Sequence, residues 1–396
     1  IVMIALFAMI AFVTNLCSPM GVIVKNQFGT TNFMAMIGNY GNFMAYLVMG
    51  FPAGMMIKHW GYKRTALIGL LVGITGIIVQ WLSGWGGMVV YLIGALISGC
   101  CMCILNTVVN PMLNLLGGGG NRGNQLIQTG GSLNSLAATL TPMLAGAMIG
   151  EITKETSLKD VSPLLLVAMA IFAVSFCIIY FTKLEEPETE HTNVMEGLKG
   201  ALGYRHLVLG IIAIFFYVGV EVGIPGQLLS YLGTPGGVLG NMTVAGAIAA
   251  LYWLLMLVGR FASSVLSGKI APRTQLTSMT VLAIVLLLVA IFMPEDVKMT
   301  LRGAEVPAKV LPIILCGICT SIMWGVIFNL ATEGLGKHTA SASGLFMTMV
   351  VGGGLMPLLQ DMLAKQVGDI NSYWLVVAML AFILYFAAVG SKVKKA

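Results

Sequence analysis

Charged residues are scarce in this chain of 396 residues, since Asp, Glu, Lys and Arg together make up only 9% of it. A soluble globular domain carries about 25% charged residues, so this composition excludes that class. Hydrophobic residues reach 58%, and the mean hydropathy is +0.94. The chain is therefore a polytopic membrane protein.

The motifs of enzyme chemistry are also missing. There are four His residues, and the chain has no HExxH pair, no Ser–His–acid set and no GxxxxGK[ST] loop. The glycines at 117–120 do not follow a strand, which favours a flexible loop over a phosphate site. The linker motif EEPETEH (185–191) is typical of a solvated segment. We therefore expect no enzymatic activity, no cofactor, no metal site and no use of ATP.

The positive net charge of +6 does not indicate a nucleic-acid partner. The Lys and Arg residues are scattered over short loops, whereas nucleic-acid binding concentrates them in one patch. Scattered loop charges of this kind are typical of topology signals in membrane proteins. The partners expected from composition are the lipid bilayer and a small solute.

Twelve apolar segments are long enough to cross a bilayer, for which a helix needs about 20 residues. We predict an all-α membrane fold of two six-helix repeats. The predicted spans are 1–24, 32–57, 65–83, 87–112, 125–149, 162–182, 206–232, 241–268, 274–293, 309–332, 340–364 and 372–391.

The hydrophilic stretch 183–205 divides these spans six and six. We therefore predict an N-terminal bundle at 1–182, a linker at 183–205 and a C-terminal bundle at 206–396. With the N-terminus inside, the inner segments hold fourteen Lys and Arg residues and the outer loops hold seven. This bias predicts that both termini and the linker are cytoplasmic, with a short cytoplasmic segment expected before Ile1.

Local matches between the two halves support an internal duplication. Arg64-Thr65 corresponds to Arg273-Thr274, and Asn110-x6-Gly117 corresponds to Asn329-x6-Gly336. Duplicated membrane bundles are typical of secondary transporters, whose substrate sites lie between the repeats.

Glu221 is the acidic residue that falls in the middle of a predicted span. A charge near the centre of a membrane helix costs roughly 2.5 kcal/mol or more, so such residues are usually functional. Glu221 is a candidate proton carrier, sodium ligand or acceptor for substrate hydroxyls. The alternative is a structural carboxyl hydrogen-bonded to a neighbouring helix.

Five stretches of the sequence carry a resemblance to a known family. They are TNFMAMIGNYGNFMAYLVMGFPAGMMIKHWGYKRT (31–65), NTVVNPMLNLLG (106–117), FFYVGVEVGIPGQLLSYL (215–232), GRF (259–261) and CGICTSIMWGVIFNLATEGLGKHTASASGLFMTMVVGGGLMPLLQ (316–360). These stretches resemble one branch of the major facilitator superfamily, the glucose/galactose porter group, which includes the bacterial fucose–proton symporter. The resemblance implies a twelve-helix transporter of the inner or plasma membrane. It also implies hexose uptake by alternating access, coupled to a proton or sodium ion, and we expect a monomer.

Two departures from this branch bear on gating and coupling. The superfamily signature G-x-x-x-D-x-x-G-R-[RK] corresponds here to a gating loop in which Lys58 replaces the usual acid, followed by Gly61, Lys63 and Arg64. Fucose-type members carry carboxylates where this chain has Asn15 and Asn106. An amide cannot accept a transported proton, so the fucose-type proton relay is not carried over.

Sugar binding requires amide or carboxylate partners for hydroxyls and aromatic rings for the C–H faces. Our first candidates for substrate binding are Asn42, Asn106, Gln128, Asn134, Glu221 and Trp324. A second set comprises Asn15, Asn39, Tyr40, Tyr217, Gln227, Tyr252, Asn329 and the stacking candidate Trp253. Each amide alone could instead be an interhelical hydrogen bond. Glu221 is also our candidate for cation coupling.

Arg260, near the inner end of a predicted span, is expected to reach the interface or pair with a loop carboxylate, and we do not assign it to the substrate. Three rival functions remain open beside coupled uptake. They are an uncoupled sugar uniporter, an exporter of a non-sugar solute and a sugar sensor without transport. The scarcity of His and clustered acids disfavours a membrane enzyme.

Overall fold

The computed structural model describes residues 1–29, 32–149, 155–188 and 193–393. Within these ranges, side chains are described except at 13–22, 24–26, 32–40, 142–143, 145–146, 149 and 242.

Helices account for most of the described residues. They are α1 (Val2–Phe28), α2 (Asn32–Gly86), α3 (Met88–Leu116), α4 (Gly120–Ile149), α5 (Leu158–Phe181), α6 (Val194–Leu202), α7 (Arg205–Gly233), α8 (Met242–Leu266), α9 (Pro272–Phe292), α10 (Val310–Thr320), α11 (Met323–Ala331), α12 (Thr339–Thr348), α13 (Gly352–Val367) and α14 (Tyr373–Tyr385). Single 3₁₀ turns lie at Gly336–His338 and Met349–Val351, and a π turn at Phe386–Gly390 follows α14.

Three of these helical stretches are interrupted. Gly61 has φ 82° and ψ 170°, so α2 consists of two helices joined at a sharp kink. Glycine suits this position because a Cβ atom disfavours positive φ. The pairs α10–α11 and α12–α13 each correspond to one predicted span, at 309–332 and 340–364. Counted in this way, the helices account for all twelve predicted spans, and the predicted fold class is confirmed.

Nine stretches among the described residues are long and apolar enough to cross a membrane. One of them, Gly41–Gly86, contains the kink at Gly61 and so covers parts of two predicted spans. This hydropathy agrees with a multi-pass membrane protein.

The chain divides into two compact units. The first comprises Ile1–Leu116, Gly130–Gly203 and Gly334–Met349, and the second comprises Gly117–Thr129, Tyr204–Glu333 and Val350–Ala396. Each unit thus contains most of one sequence half and a short segment from the other. The predicted bundle boundaries at 1–182 and 206–396 follow the duplication within the sequence, and they stay a prediction.

In the first unit, glycines bring α2 close to two other helices. A Cβ atom on Gly54 would lie 2.9 Å from the Ala340 carbonyl oxygen and 2.9 Å from the Cα atom of Gly344, both on α12. A Cβ atom on Gly69 would lie 2.9 Å from the Ile104 side chain on α3. Small residues commonly permit such backbone approach between membrane helices.

In the second unit, the first turns of α4 are bonded to helices from the other sequence half. The Gln125 side-chain amide donates to the Ser264 carbonyl on α8 over 3.1 Å. The Asn329 amide on α11 donates to the Gly120 carbonyl over 3.1 Å. These bonds explain why residues 117–129 belong to this unit.

Two small elements were not predicted. The short helix α6 lies within the linker, and strands β1 (Lys298–Leu301) and β2 (Ala304–Pro307) form an antiparallel hairpin in the loop between α9 and α10. Arg302 and Gly303, with φ 50° and 78°, form its turn. Two consecutive residues with positive φ are typical of tight hairpin turns.

Candidate functional site

An ion pair joins α7 and α8 in the second unit. Nη2 of Arg260 lies 3.4 Å from Oε1 of Glu221, and the two side chains are 14% and 17% exposed. The expectation that Arg260 reaches the interface or pairs with a loop carboxylate is therefore wrong. α8 packs against α7, and this packing brings the guanidinium to the one mid-span acid.

The break between α10 and α11 provides carbonyl acceptors beside this pair. The hydroxyl of Tyr217 donates to the Thr320 carbonyl over 3.2 Å, and Nε of Arg260 donates to the Ser321 carbonyl over 3.4 Å. Main-chain oxygens at a helix end commonly take side-chain donors. The break is thereby held from α7 and from α8.

The same break is bound by α4. The side-chain amide of Gln128 donates to the Ile322 carbonyl over 2.8 Å, and Gln128 is 3% exposed. A Cβ atom on Gly325 would lie 2.8 Å from Nε2 of Gln128, so this glycine makes room for the amide. Gln128 and Glu221 were both predicted as site residues. Gln128 binds the break directly, and Glu221 is connected to it through Arg260.

Aromatic side chains complete this cluster. The rings of Tyr217 and Trp324 have centroids 6.5 Å apart and are tilted by 56°. The Tyr252 hydroxyl lies 2.8 Å from Oγ1 of Thr320, and both tyrosines are fully buried. Trp253, by contrast, is 45% exposed, and its ring and that of Tyr252 meet edge to face, with centroids 5.3 Å apart. Its expected stacking role stays a prediction.

Close packing fixes the geometry of the cluster. A Cβ atom on Gly259 would overlap the side chain of Ser321, and one on Gly317 would overlap the Tyr252 carbonyl oxygen. Larger residues at these positions would push α8 away from the α10–α11 break. Gly259 also directly precedes Arg260, so the backbone that carries the guanidinium is held against Ser321.

Three predicted amides, Asn42 on α2, Asn106 on α3 and Asn134 on α4, lie in the first unit. The Asn106 amide donates to the Tyr46 hydroxyl over 2.7 Å, and the Asn134 amide donates to the Phe7 carbonyl over 2.6 Å. Oδ1 of Asn42 is buried and has no hydrogen-bond partner within the described part of the chain. A buried acceptor without a donor is costly, so Asn42 is suited to a ligand that donates a hydrogen bond.

Comparison with known proteins identifies the family. The family model of the Major Facilitator Superfamily matches residues 2–357. The chain belongs to this superfamily. Its members are transporters, which agrees with the expectation that the chain is not an enzyme.

Individual relatives cover nearly the whole chain. A glucose/galactose transporter of Brucella abortus is 30% identical over 98% of this chain and 92% of its own length. The L-fucose-proton symporter of Escherichia coli is 22% identical over 97% of this chain and 91% of its own length. The crystal structure of the major facilitator transporter FucP in the outward conformation superposes with a TM-score of 0.82, at 20% identity and 97% coverage of both chains.

The signature loop of the superfamily is bound to the linker in the first unit. The Glu186 carboxylate accepts from the backbone N–H groups of Tyr62 and Lys63 over 2.9 and 3.3 Å. These groups begin the helix that follows Gly61, where a carboxylate is favoured by the helix dipole. A Cβ atom on Gly61 would overlap this carboxylate.

Two lysines of this loop bind main-chain carbonyls at the end of α5 and in the linker. Nζ of Lys63 donates to the Tyr180 and Thr182 carbonyls over 3.0 and 2.8 Å. Nζ of Lys58, which is 3% exposed, donates to the Asn193 carbonyl over 3.2 Å. Lys58 thus replaces the usual acid and binds the linker, while Arg64 is exposed.

The remaining predicted site residues differ in their hydrogen-bond partners, and some lie outside the described side chains. The Gln227 amide donates to the Asp369 carboxylate, whose pKa is raised by burial and partly lowered again by this bond. The Asn329 amide is bound to the Gly120 carbonyl. The side chains of Asn15, Asn39 and Tyr40 lie outside the described residues. In the part of the chain that the structure describes, no group of three His, Cys, Asp or Glu side chains could hold a metal ion.

Proposed function

We propose that this protein takes up a hexose-type sugar by alternating access, coupled to a proton or sodium ion. The observation that carries the proposal is the cluster at Glu221, which combines a carboxylate, a guanidinium and the rings of Tyr217 and Trp324. Charged donors and acceptors beside aromatic rings are what a sugar requires. The similarity to a glucose/galactose transporter of B. abortus supports the same substrate class.

The proposed sugar ligands are distributed over both compact units. Asn42, Asn106 and Asn134 belong to the first unit, and Gln128, Glu221 and Trp324 belong to the second. The second set of candidates, Tyr217, Gln227, Tyr252, Asn329, Asn15, Asn39 and Tyr40, would line the path of the sugar. The gating loop at Lys58, Gly61, Lys63 and Arg64 would control the cytoplasmic side.

We further propose that the protein acts as a monomer in the inner (plasma) membrane, with both termini and the linker in the cytoplasm. The excess of Lys and Arg in the segments assigned to the inside supports this orientation.

An uncoupled sugar uniporter is the second candidate, and one observation favours it. Arg260 already provides a positive charge for Glu221, and Asn106 stands where fucose-type relatives are expected to carry an acid. A carboxylate with a resident counter-charge has less need of a transported cation.

Uptake of labelled D-glucose, D-galactose and L-fucose into proteoliposomes tests the proposal and separates these candidates. The liposomes carry a proton gradient, a sodium gradient or no gradient. Accumulation above equilibrium under one gradient is expected for the symporter, and equilibration independent of both ions indicates the uniporter. No flux of any hexose would overturn the substrate assignment and favour an exporter of a different solute or a sensor.

A further inference from the structure

We infer that the first unit binds a phospholipid whose headgroup carries a phosphate and an ammonium group. The site is a cavity of about 340 Å³ at the ends of α1 and α2 and the start of α5. Since α5 ends directly before the linker, its start lies at the end of the unit remote from the linker. Cavities of this size commonly hold small ligands. The lining side chains that carry the inference are Gln27, Trp81, Trp85, Ser157, Lys159 and Ser162.

Two tryptophans at the end of α2 form an aromatic corner of the cavity. The ring centroids of Trp81 and Trp85 lie 5.1 Å apart, and the ring planes meet at 85°. The two residues are 40% and 67% exposed. Nε1 of Trp81 donates to Oγ of Ser162 over 3.0 Å, which holds this ring against α5. Because indole faces attract cations, an exposed corner of two indoles suits an ammonium group.

The start of α5 supplies the groups for a phosphate. Oε1 of Gln27 accepts from the Leu158 backbone N–H over 2.9 Å, so the NH₂ group of this amide is left as the donor. The carboxylate of Asp160 accepts from the backbone N–H and the hydroxyl of Ser157, over 2.8 and 3.2 Å, and so completes the helix cap. Lys159 is exposed and lines the cavity. An ammonium group beside a helix N-terminus favours an anion.

Exposed apolar side chains lie one turn deeper on both helices. Ile78 precedes Trp81 by three residues on α2, and Leu166 follows Ser162 by four residues on α5. Residues three or four apart share a helix face, and both of these lie toward the middle of their helices. Ile78 is 41% exposed and Leu166 is 60% exposed. Acyl chains below a bound headgroup would cover them, whereas a soluble ligand would not. This arrangement favours a lipid.

Native mass spectrometry of the purified full chain tests the inference by measuring the dissociation constant of the first bound lipid. The probes are dioleoylphosphatidylethanolamine, dioleoylphosphatidylglycerol and glycerophosphoethanolamine, which is the first headgroup without its chains. The variants are Trp85→Leu and Lys159→Gln. The matched controls are Trp374→Leu, which removes another partly exposed tryptophan in edge-to-face contact, and Lys298→Gln, which removes an exposed lysine of β1. Melting temperatures establish that each variant is folded, and the two variants test the site independently.

We expect Trp85→Leu and Lys159→Gln each to weaken phosphatidylethanolamine binding about threefold or more, as loss of a cation–π contact or of an exposed charge pair can supply. Both controls should keep the affinity. Phosphatidylglycerol should bind the unsubstituted protein more weakly, because it has no ammonium group. The inference is overturned if the two variants bind phosphatidylethanolamine as tightly as the controls, or if phosphatidylglycerol binds equally well. Equally tight binding of glycerophosphoethanolamine would show a site for the free headgroup and would overturn the lipid assignment.

Discussion

The amide of Gln128 on α4 donates to the carbonyl oxygen of Ile322, 2.8 Å away, at the break between α10 and α11. The two residues come from different sequence halves but belong to the same compact unit. The break also accepts hydrogen bonds from Tyr217 and Arg260. It is therefore the segment on which the side chains around Glu221 converge.

Gln128→Ala should reduce hexose uptake about fivefold or more and lower the melting temperature. The substitution removes both a proposed sugar ligand and the donor to a buried carbonyl, and one such bond contributes about 1 kcal/mol. Initial rates in proteoliposomes and differential scanning fluorimetry are the measurements. Thr129→Ala is the control, since the Thr129 hydroxyl bonds within its own helix to the Gln125 carbonyl. Equal uptake rates and equal melting temperatures of the two variants would contradict the assignment of Gln128.

Gly54→Ala should destabilise the first unit. The new methyl group would lie 2.9 Å from the Ala340 carbonyl oxygen and from the Cα atom of Gly344, so α2 and α12 would have to separate. Overpacking of this kind costs about 1–3 kcal/mol. We expect a lower melting temperature for Gly54→Ala. Gly246→Ala is the control, because a Cβ atom there meets nothing within 4 Å. Its melting temperature should be unchanged or slightly raised. A Gly54→Ala protein as stable as the control would show that this close approach is not required.

Glu186→Gln should loosen the linker from the signature loop. A neutral amide accepts the N–H groups of Tyr62 and Lys63 more weakly than the carboxylate does, and loses the favourable interaction with the helix dipole. Trypsin should then cleave after Lys183 about fivefold faster, as expected for the loss of one net hydrogen bond. Glu185→Gln changes the same charge one residue earlier and is the control. Identical cleavage rates for both variants would rule out an anchoring role for Glu186.

Much of the fold follows from the sequence because bilayer thickness sets the length of each apolar segment. The twelve spans are marked by composition alone, and Glu221 is marked by its charge within one of them. Arg260 was misassigned, because a position near the inner end of a span does not reveal which neighbouring helix faces it. Its location inside the predicted span 241–268, as a second intramembrane charge, was the signal that could have paired it with Glu221.

Other features depend on tertiary packing and have little or no local signal. The sequence TSIMWG around Ser321 contains no proline, and the break there is matched by donors from three separate helices. Glu186 was assigned to a solvated linker because nothing in its neighbourhood indicates the N–H groups of Tyr62 and Lys63. The hairpin at 298–307 has only a partial local signal, because Gly303 suits a positive φ but Arg302, at φ 50°, is not a typical residue for that position.

Exchange of labelled D-glucose and D-galactose across proteoliposomes, compared between the unsubstituted protein and Glu221→Gln, tests the central claim most directly. Exchange needs no ion gradient, so it reports on the sugar site even if the protein is a uniporter. We predict that Glu221→Gln lowers the exchange rate at least about tenfold, because a charge-assisted partner of the sugar is lost. Normal exchange by Glu221→Gln, with unchanged ion dependence of uptake, would contradict the placement of Glu221 in the sugar site.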